Sequence, residues 1–259
     1  MSSIKTIIIL VYCLLPCEKV FSQGSSNLWL LGYDSGSGPG YGGTNINFIS
    51  GTADTSYVFR MMNFMQTNSS ISNAQGNLLF YTNGIYIANT NNDTMLNGDN
   101  LNPSSFTTSS SQHGLTIDQA DLIIPFPGNS TKYYLFHETA YYLSSLSAYV
   151  SYELYYSIVD MSLGGGFGEV IQKNVPIITD TLNTGCVTGC KHANGRDWWI
   201  ICHSAKNNTY YTLLVTPYGI QGPFTQSIGS ILTYPFFIWQ TCFSPDGSKL
   251  ASFTPNDTL

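Results

Sequence analysis

KHANGRDWWIICH (residues 191–203) is the stretch from which the fold can be read. An Asn-Gly pair, Asn194-Gly195, sits between CVTGCKHA (186–193) and the apolar run WWIICH (198–203). Asn-Gly and Asp-Gly between apolar runs are strong local hairpin signals, because a two-residue hairpin turn needs positive φ at both positions. The same strand, turn and strand recur in three other places. ISNA-QGN-LLFYT (71–82) turns at Gly76-Asn77, and LIIPFP-GNSTK-YYLFH (122–137) turns through Gly128 to Lys132. TCFSP-DGSK-LASFT (241–254) turns at Asp246-Gly247. The second strands begin at Leu78, Tyr133, Trp198 and Leu250, at spacings of 55, 65 and 52 residues.

Working outward, a third strand-like run follows each of the first three hairpins: GIYIAN (84–89), YELYYSIVDM (152–161) and TYYTLLVTPYG (209–219). EVIQKNVPI (169–177) and FTQSIGSIL (224–232) are candidate fourth strands. No segment holds a sustained 3.6-residue apolar period, and Gly, Pro and Asn interrupt the chain too often for long helices. The expectation is an all-β fold built as a β-propeller of repeated three- to four-stranded antiparallel blades. The uneven spacing puts insertions in loops, at Ser104–Gly114 and Leu143–Val150. NLWLLGYDSG (27–36) is expected in a first or closing blade. The fourth hairpin runs to the last residues, so residues 23–259 read as a partial propeller of four to five blades, the front portion of a longer one.

The start of the chain has the grammar of a secretory signal peptide over residues 1–22. Lys5 supplies the positive region, Thr6 to Pro16 the apolar one, and Ser22/Gln23 the cleavage site. The apolar run is well under the roughly 20 residues a membrane span needs. Leu14-Leu15-Pro16 lacks the small residues that a lipoprotein site at Cys17 would want. The expected location is extracellular or on the outer cell surface, with no membrane span after cleavage.

Losing Lys5, Lys19 and Glu18 with the leader takes nine basic and fifteen acidic residues to seven and fourteen, a net charge of −7. Only two arginines occur, Arg60 and Arg196, and no basic run exists. Nucleic acid and anionic membranes are therefore poor partners, and a protein or a glycan is the expected ligand class. Charged residues make up 9% of the chain, so solubility rests on Asn, Ser, Thr and Gly, while the 14% aromatic content suits strands. Cys186, Cys190, Cys202 and Cys242 remain after cleavage. Four cysteines allow three disulfide connectivities, although Cys186 and Cys190 on one extended strand would be about 13 Å apart, beyond bridging reach. Free buried thiols are the favoured reading.

FSPDGSKLA (243–251) resembles the strand-turn-strand element of TolB-like and WD-type propellers. Together with GNLLFYTNG (76–84), Asn97-Gly98, YYSIVDMSLGGGFGEVIQKN (155–174) and KHANGRDWWI (191–200), the chain resembles secreted propeller proteins of Bacteroidetes-type bacteria over roughly residues 27 to 253. Many members of that group end in a type IX secretion sorting domain, and no such domain occurs in this sequence. The resemblance implies an extracellular or cell-surface β-propeller without implying an activity, because propellers host enzymes and inert scaffolds alike.

No residue is nominated as catalytic, cofactor-binding or metal-ligating, and no cofactor is expected. Cys186, Cys190, His192, Cys202 and His203 form the most tempting group. Their C-x3-C-x-H spacing is not a familiar zinc pattern, however, and Cys190 and Cys242 occupy equivalent slots four residues before their turns. His137 and His203 each close a second strand, which suggests structural hydrogen bonding. Trp198 and Trp199 fall on opposite faces, so at most one can be a ligand platform. Arg196 and Asp197 sit in a turn, where side chains satisfy backbone groups.

Enzyme motifs fare no better. A sialidase would need more arginines than two. Asp160, Glu169 and Asp197 have no motif joining them as a glycosidase pair, and the G-x-S-x-G elbow is absent. LGGGFG (163–168) reads as a turn between strands. A non-enzymatic binding or scaffold module is the leading expectation, with an extracellular polysaccharide hydrolase as the alternative.

Overall fold

The computed structural model describes residues 27–38, 40–231 and 240–253. The signal peptide expected at residues 1–22 lies outside the described residues. The described residues are all-β, laid out as five antiparallel sheets in sequence order. The first contains β1 (Leu28–Gly32), β2 (Gly43–Asn47) and β3 (Asp54–Val58). The second contains β4 (Ser69–Ser72), β5 (Leu78–Thr82) and β6 (Ile87–Asn89). The third holds β7 (Asp121–Pro125), β8 (Lys132–His137), β9 (Tyr141–Leu143), β10 (Ala148–Asp160) and β11 (Glu169–Leu182). Its order is β11-β10-β8-β7, with β9 paired to the start of β10. The fourth is the meander β12 (Thr188–Lys191), β13 (Trp198–His203), β14 (Thr209–Thr216) and β15 (Gly219–Ser227). The fifth pairs β16 (Gln240–Phe243) with β17 (Leu250–Phe253).

All four expected hairpins are present, as β4-β5, β7-β8, β12-β13 and β16-β17. Their turns differ from the expected form. Only the glycine takes positive φ at the Asn194-Gly195 and Asp246-Gly247 pairs. Gly76, Gly195 and Gly247 each donate their backbone N–H to the carbonyl three residues earlier. That is a type I turn followed by a left-handed glycine, the longer hairpin connection. Asn73, Asn194 and Asp246 each accept backbone N–H bonds within their loops, so the acidic and amide side chains brace these turns.

Three further differences are local. Leu143–Val150 is not a plain loop, because Tyr141–Leu143 pairs back on Ala148–Val150. The insertion after Ser104 carries one short helix, α1 (Ser105–Ser109), whose first turn is capped by the Ser104 hydroxyl accepting from Thr107 N at 3.0 Å. Cys186 is not on a strand. It precedes β12 with φ 71, which breaks the shared parity with Cys190.

Apolar runs without alternation mark strands covered on both faces. On β5, Phe80 faces a cluster with Tyr133 and Leu135 of the third sheet, while Tyr81 faces Leu30, Met62 and Phe64 beside the first. On β8 the same split sends Tyr133 and Leu135 toward the second sheet and Tyr134 and Phe136 toward Ile200 and Leu213 of the fourth. Sheets two and three are thus sandwiched, and burying each such side chain contributes about 1.5–3 kcal/mol.

Candidate functional site

The first strands of the sheets lie side by side: β1 against β4, β4 against β7, and β12 against β16. Side chains stitch them together. The Ser70 hydroxyl donates to Leu28 O at 3.3 Å, and Asn68 Nδ2 donates to Leu30 O. The Ser69 hydroxyl reaches Asp121 O at 2.9 Å, and Thr67 Oγ1 reaches Ile117 O at 2.7 Å. Gln119, a non-glycine residue at φ 49, is the hub. Its carbonyl accepts from Val187 N at 3.1 Å. Its side chain exchanges two bonds with the backbone of Thr241, at 2.7 and 3.1 Å.

These strands enclose two cavities of about 370 Å³ each. One is bounded by β1, β4 and β7 and mixes aliphatic side chains with Asn68, Ser69 and Ser70. The other opens at the entry ends of β4, β7, β12 and β16, between Gln66, Asn68, Asp118, Thr188 and Gln240. Its wall offers amides, a hydroxyl and the carboxyls of Asp118 and Asp121, and among the described residues no Lys, Arg or His lines it. That lining suits a neutral hydroxyl-bearing or cationic group and disfavours an anion. Burial raises the Asp118 carboxyl above its ordinary value.

Two acids in this region are buried, Asp121 on the cavity lining and Glu138. Asp121 opens β7, and neither of its oxygens has a hydrogen-bond partner among the described residues. Burial pushes its carboxyl up to about 8. Glu138 follows β8 and accepts a bond from Gly185 N. Burial holds it well above the usual carboxylate range, against the pull of that bond, and the nearby Asp121 pushes it further up. Charged together these groups would repel in a low-dielectric interior, so burial and their proximity both favour the protonated forms.

The residues singled out by sequence are mostly structural. Cys186 and Cys202 are buried, Cys190 is half-buried and Cys242 is exposed, all as free thiols. The repeated packing slot therefore holds for Cys190, with Gly247 beside it, but not for Cys242. No group of three His, Cys, Asp or Glu able to hold a metal ion occurs among the described residues. His137 is buried, with Nδ1 2.7 Å from Asn102 Oδ1 and Nε2 2.8 Å from Ser157 Oγ. His203 is buried and meets Tyr210 edge to face at 4.4 Å.

Trp198 packs on the core between sheets three and four, under Lys191 Nζ at 5.5 Å, whereas Trp199 faces His192. Arg196 and Asp197 form an ion pair at 2.7 Å inside their turn. Asp160 and Glu169 are cross-strand partners at the end of β10-β11, away from the cavity and from Asp197. Gly164–Gly166 is a 3-10 turn between β10 and β11, as LGGGFG suggested.

The sequence reading passed over Asp118, Gln119, Asp121 and Glu138. The available signal was an acid directly flanking an apolar strand, in DLIIP and LFHE, where a solvated turn residue would be ordinary. It also passed over the environment of Arg60, which is buried beneath the first sheet. There Nη1 donates to Leu31 O at 3.1 Å and Nη2 to Asn45 Oδ1 at 2.6 Å, and the guanidinium lies 5.4 Å from the rings of both Phe64 and Tyr81.

No helix among the described residues is long and apolar enough to cross a membrane. Compared with known proteins, the chain matches no family model, no curated protein and no solved structure.

Proposed function

We propose that this chain is an exported β-propeller module, outside the cell or on its surface, that binds a protein or glycan ligand without transforming it. The propeller reading rests on the row of first strands and on two cavities bounded by those strands, the relation that blades have around a common axis. Export rests on the signal-peptide grammar of residues 1–22. The observation that carries the binding role is the polar cavity between Gln66, Asp118, Thr188 and Gln240, with hydrogen-bonding groups of both kinds and no cationic side chain among the described residues. Such a lining favours a sugar unit or an uncharged polar segment of a protein over an anionic ligand.

One observation favours a second reading, a polysaccharide hydrolase. Asp118 and Asp121 flank the same cavity, and Asp121 holds its proton near neutral pH as a general acid must. Its oxygens are sealed from solvent, which weighs toward binding. A glycan array followed by product analysis separates the two. Retained glycan with no released sugar supports the binding module, and a released sugar that disappears in Asp121→Asn supports the hydrolase.

A further inference from the structure

Sheets three and four pack through Tyr134, Phe136, Ile200 and Leu213, but they part at one end and leave a cavity of about 390 Å³ between them. That volume falls within the roughly 300–1,000 Å³ of small-molecule sites. Tyr218 marks this end of the β14-β15 hairpin and Ser227 the other. Gln240 and Phe253 also stand at the far end, because Thr241 beside them bonds to Gln119 there. Among the described residues, the cleft is therefore walled by two inner sheets, at the end opposite Ser227, Gln240 and Phe253.

The cleft combines an aromatic wall with polar groups. Phe126 stacks flat on Tyr134 at 4.7 Å, and Tyr156 meets Tyr134 edge to face at 5.7 Å. Tyr218, 94% exposed, lines it from the β14-β15 turn, and Lys132 and Gln172 line it from sheet three. Two of the polar groups are unspent. Tyr134 is buried, and its hydroxyl has no hydrogen-bond partner among the described residues, where a buried tyrosine ordinarily has one. Lys132 Nζ lies 3.8 Å from Asp160 Oδ2, which balances its charge from beyond hydrogen-bonding distance and leaves its donors open. An anion at Lys132 would also meet Asp160, so the pair suits a neutral acceptor.

We infer that this cleft is a second binding site, for one uncharged ring with an apolar face and hydroxyl groups around its edge, as in a single sugar unit of a neutral glycan. The C–H face of the ring packs on the aromatic side chains. Its hydroxyls accept from Lys132 and exchange hydrogen bonds with Tyr134 and Gln172. The site is separate from the polar cavity at the entry ends of the first strands and does not rest on it.

Saturation-transfer NMR with a panel of methyl glycosides of neutral sugars tests the site, with phenol and benzoate as competing ring chemistries. At least one glycoside is expected to take saturation from the wild type. Its dissociation constant should rise about fivefold or more in Tyr218→Ala, which alters an exposed side chain, and in Tyr134→Phe, which removes only the hydroxyl. Asp246→Ala, in a distant turn, should leave it unchanged, and circular dichroism reads the folding of each variant separately. Absence of transfer to every glycoside overturns the proposal. So does glycoside binding undiminished in either folded cleft variant, which places the sugar elsewhere. Phenol or benzoate binding through Tyr218 more tightly than every glycoside overturns it too, in favour of an aromatic or anionic ligand.

Discussion

Asp121 and His137 stand directly opposite each other in the β7-β8 register, an acid and a base both buried, yet they do not form an ion pair. Asn102 Oδ1 can only accept, so His137 donates from Nδ1 and its Nε2 accepts from the Ser157 hydroxyl. Ser157 Oγ accepts in turn from Asn174 N at 3.1 Å. A proton on Nε2 would face the Ser157 hydroxyl proton, and burial lowers the imidazole to about 3. Both partners across the strands are thus neutral at neutral pH.

Stability should therefore depend on pH in two opposed windows. Asp121 is raised to about 8, against an unfolded value near 3.8, and Glu138 shifts the same way. From about pH 4 upward the folded state keeps protons the unfolded state has lost, so stability falls as pH rises toward the folded value of Asp121. His137 has the opposite sign. Between pH 6.5 and about 3 the unfolded chain binds a proton that the folded chain refuses, and stability falls as pH drops. Urea midpoints across pH should peak in the mildly acidic range. Asp121→Asn should flatten the decline above pH 6.5, and an unchanged slope would refute the assignment.

The imidazole network makes a second prediction. Ser157→Ala leaves His137 Nε2 without its donor and Asn174 N without its acceptor. The expected loss is about 1–3 kcal/mol in urea unfolding. Ser157→Thr, which keeps the hydroxyl, should lose less if its methyl group is accommodated.

How far the sequence could be read differs between fold and site. The hairpins were legible because Asn73, Asn194 and Asp246 with their glycines are local turn chemistry, and local chemistry is written in adjacent residues. β2 and β3 were missed because Gly43–Asn47 and Asp54–Val58 are polar strands with one face uncovered. The site was harder still. Gln119 gains its role from Thr241, 122 residues away, and Ser69 of another sheet, 52 residues away, donates to the Asp121 carbonyl. Nothing in the neighbourhood of either residue in the chain announces those contacts. The histidine slots were legible as structural because they repeat at the ends of β8 and β13.

Arg60 holds the first sheet to the chain beneath it, and Gly43 makes room for it. A Cβ on Gly43 would lie 2.9 Å from Arg60 Nη1 and 2.8 Å from the Val58 carbonyl oxygen. Gly43→Ala should destabilise by about 1–3 kcal/mol, since the backbone oxygen cannot move aside cheaply. Arg60→Ala should cost about 2–5 kcal/mol and Arg60→Lys should rescue it only in part, because an ammonium cannot fork between Leu31 O and Asn45. Denaturant titration of the three variants provides the comparison.

The thiols should react in order of exposure. Cys242 is exposed and should label first with iodoacetamide, followed by half-buried Cys190. Burial pushes Cys186 up to about 12 and raises Cys202 well above the ordinary thiol range, so both should label only when the protein unfolds. Mass spectrometry of timed digests reads the order directly. Early labelling of Cys202 would contradict the packing between sheets three and four.

Ligand is proposed to bind in the polar cavity at the entry ends of the first strands. Calorimetric titration of a glycan retained on the array tests it most directly, using wild type, Asp118→Ala, Thr188→Ala and, as a control on a distant turn, Asp246→Ala. Each cavity variant should lose at least about tenfold in affinity, equivalent to about 1.4 kcal/mol, and the control should be unchanged. Affinity that is indifferent to Asp118 and Thr188 would contradict it.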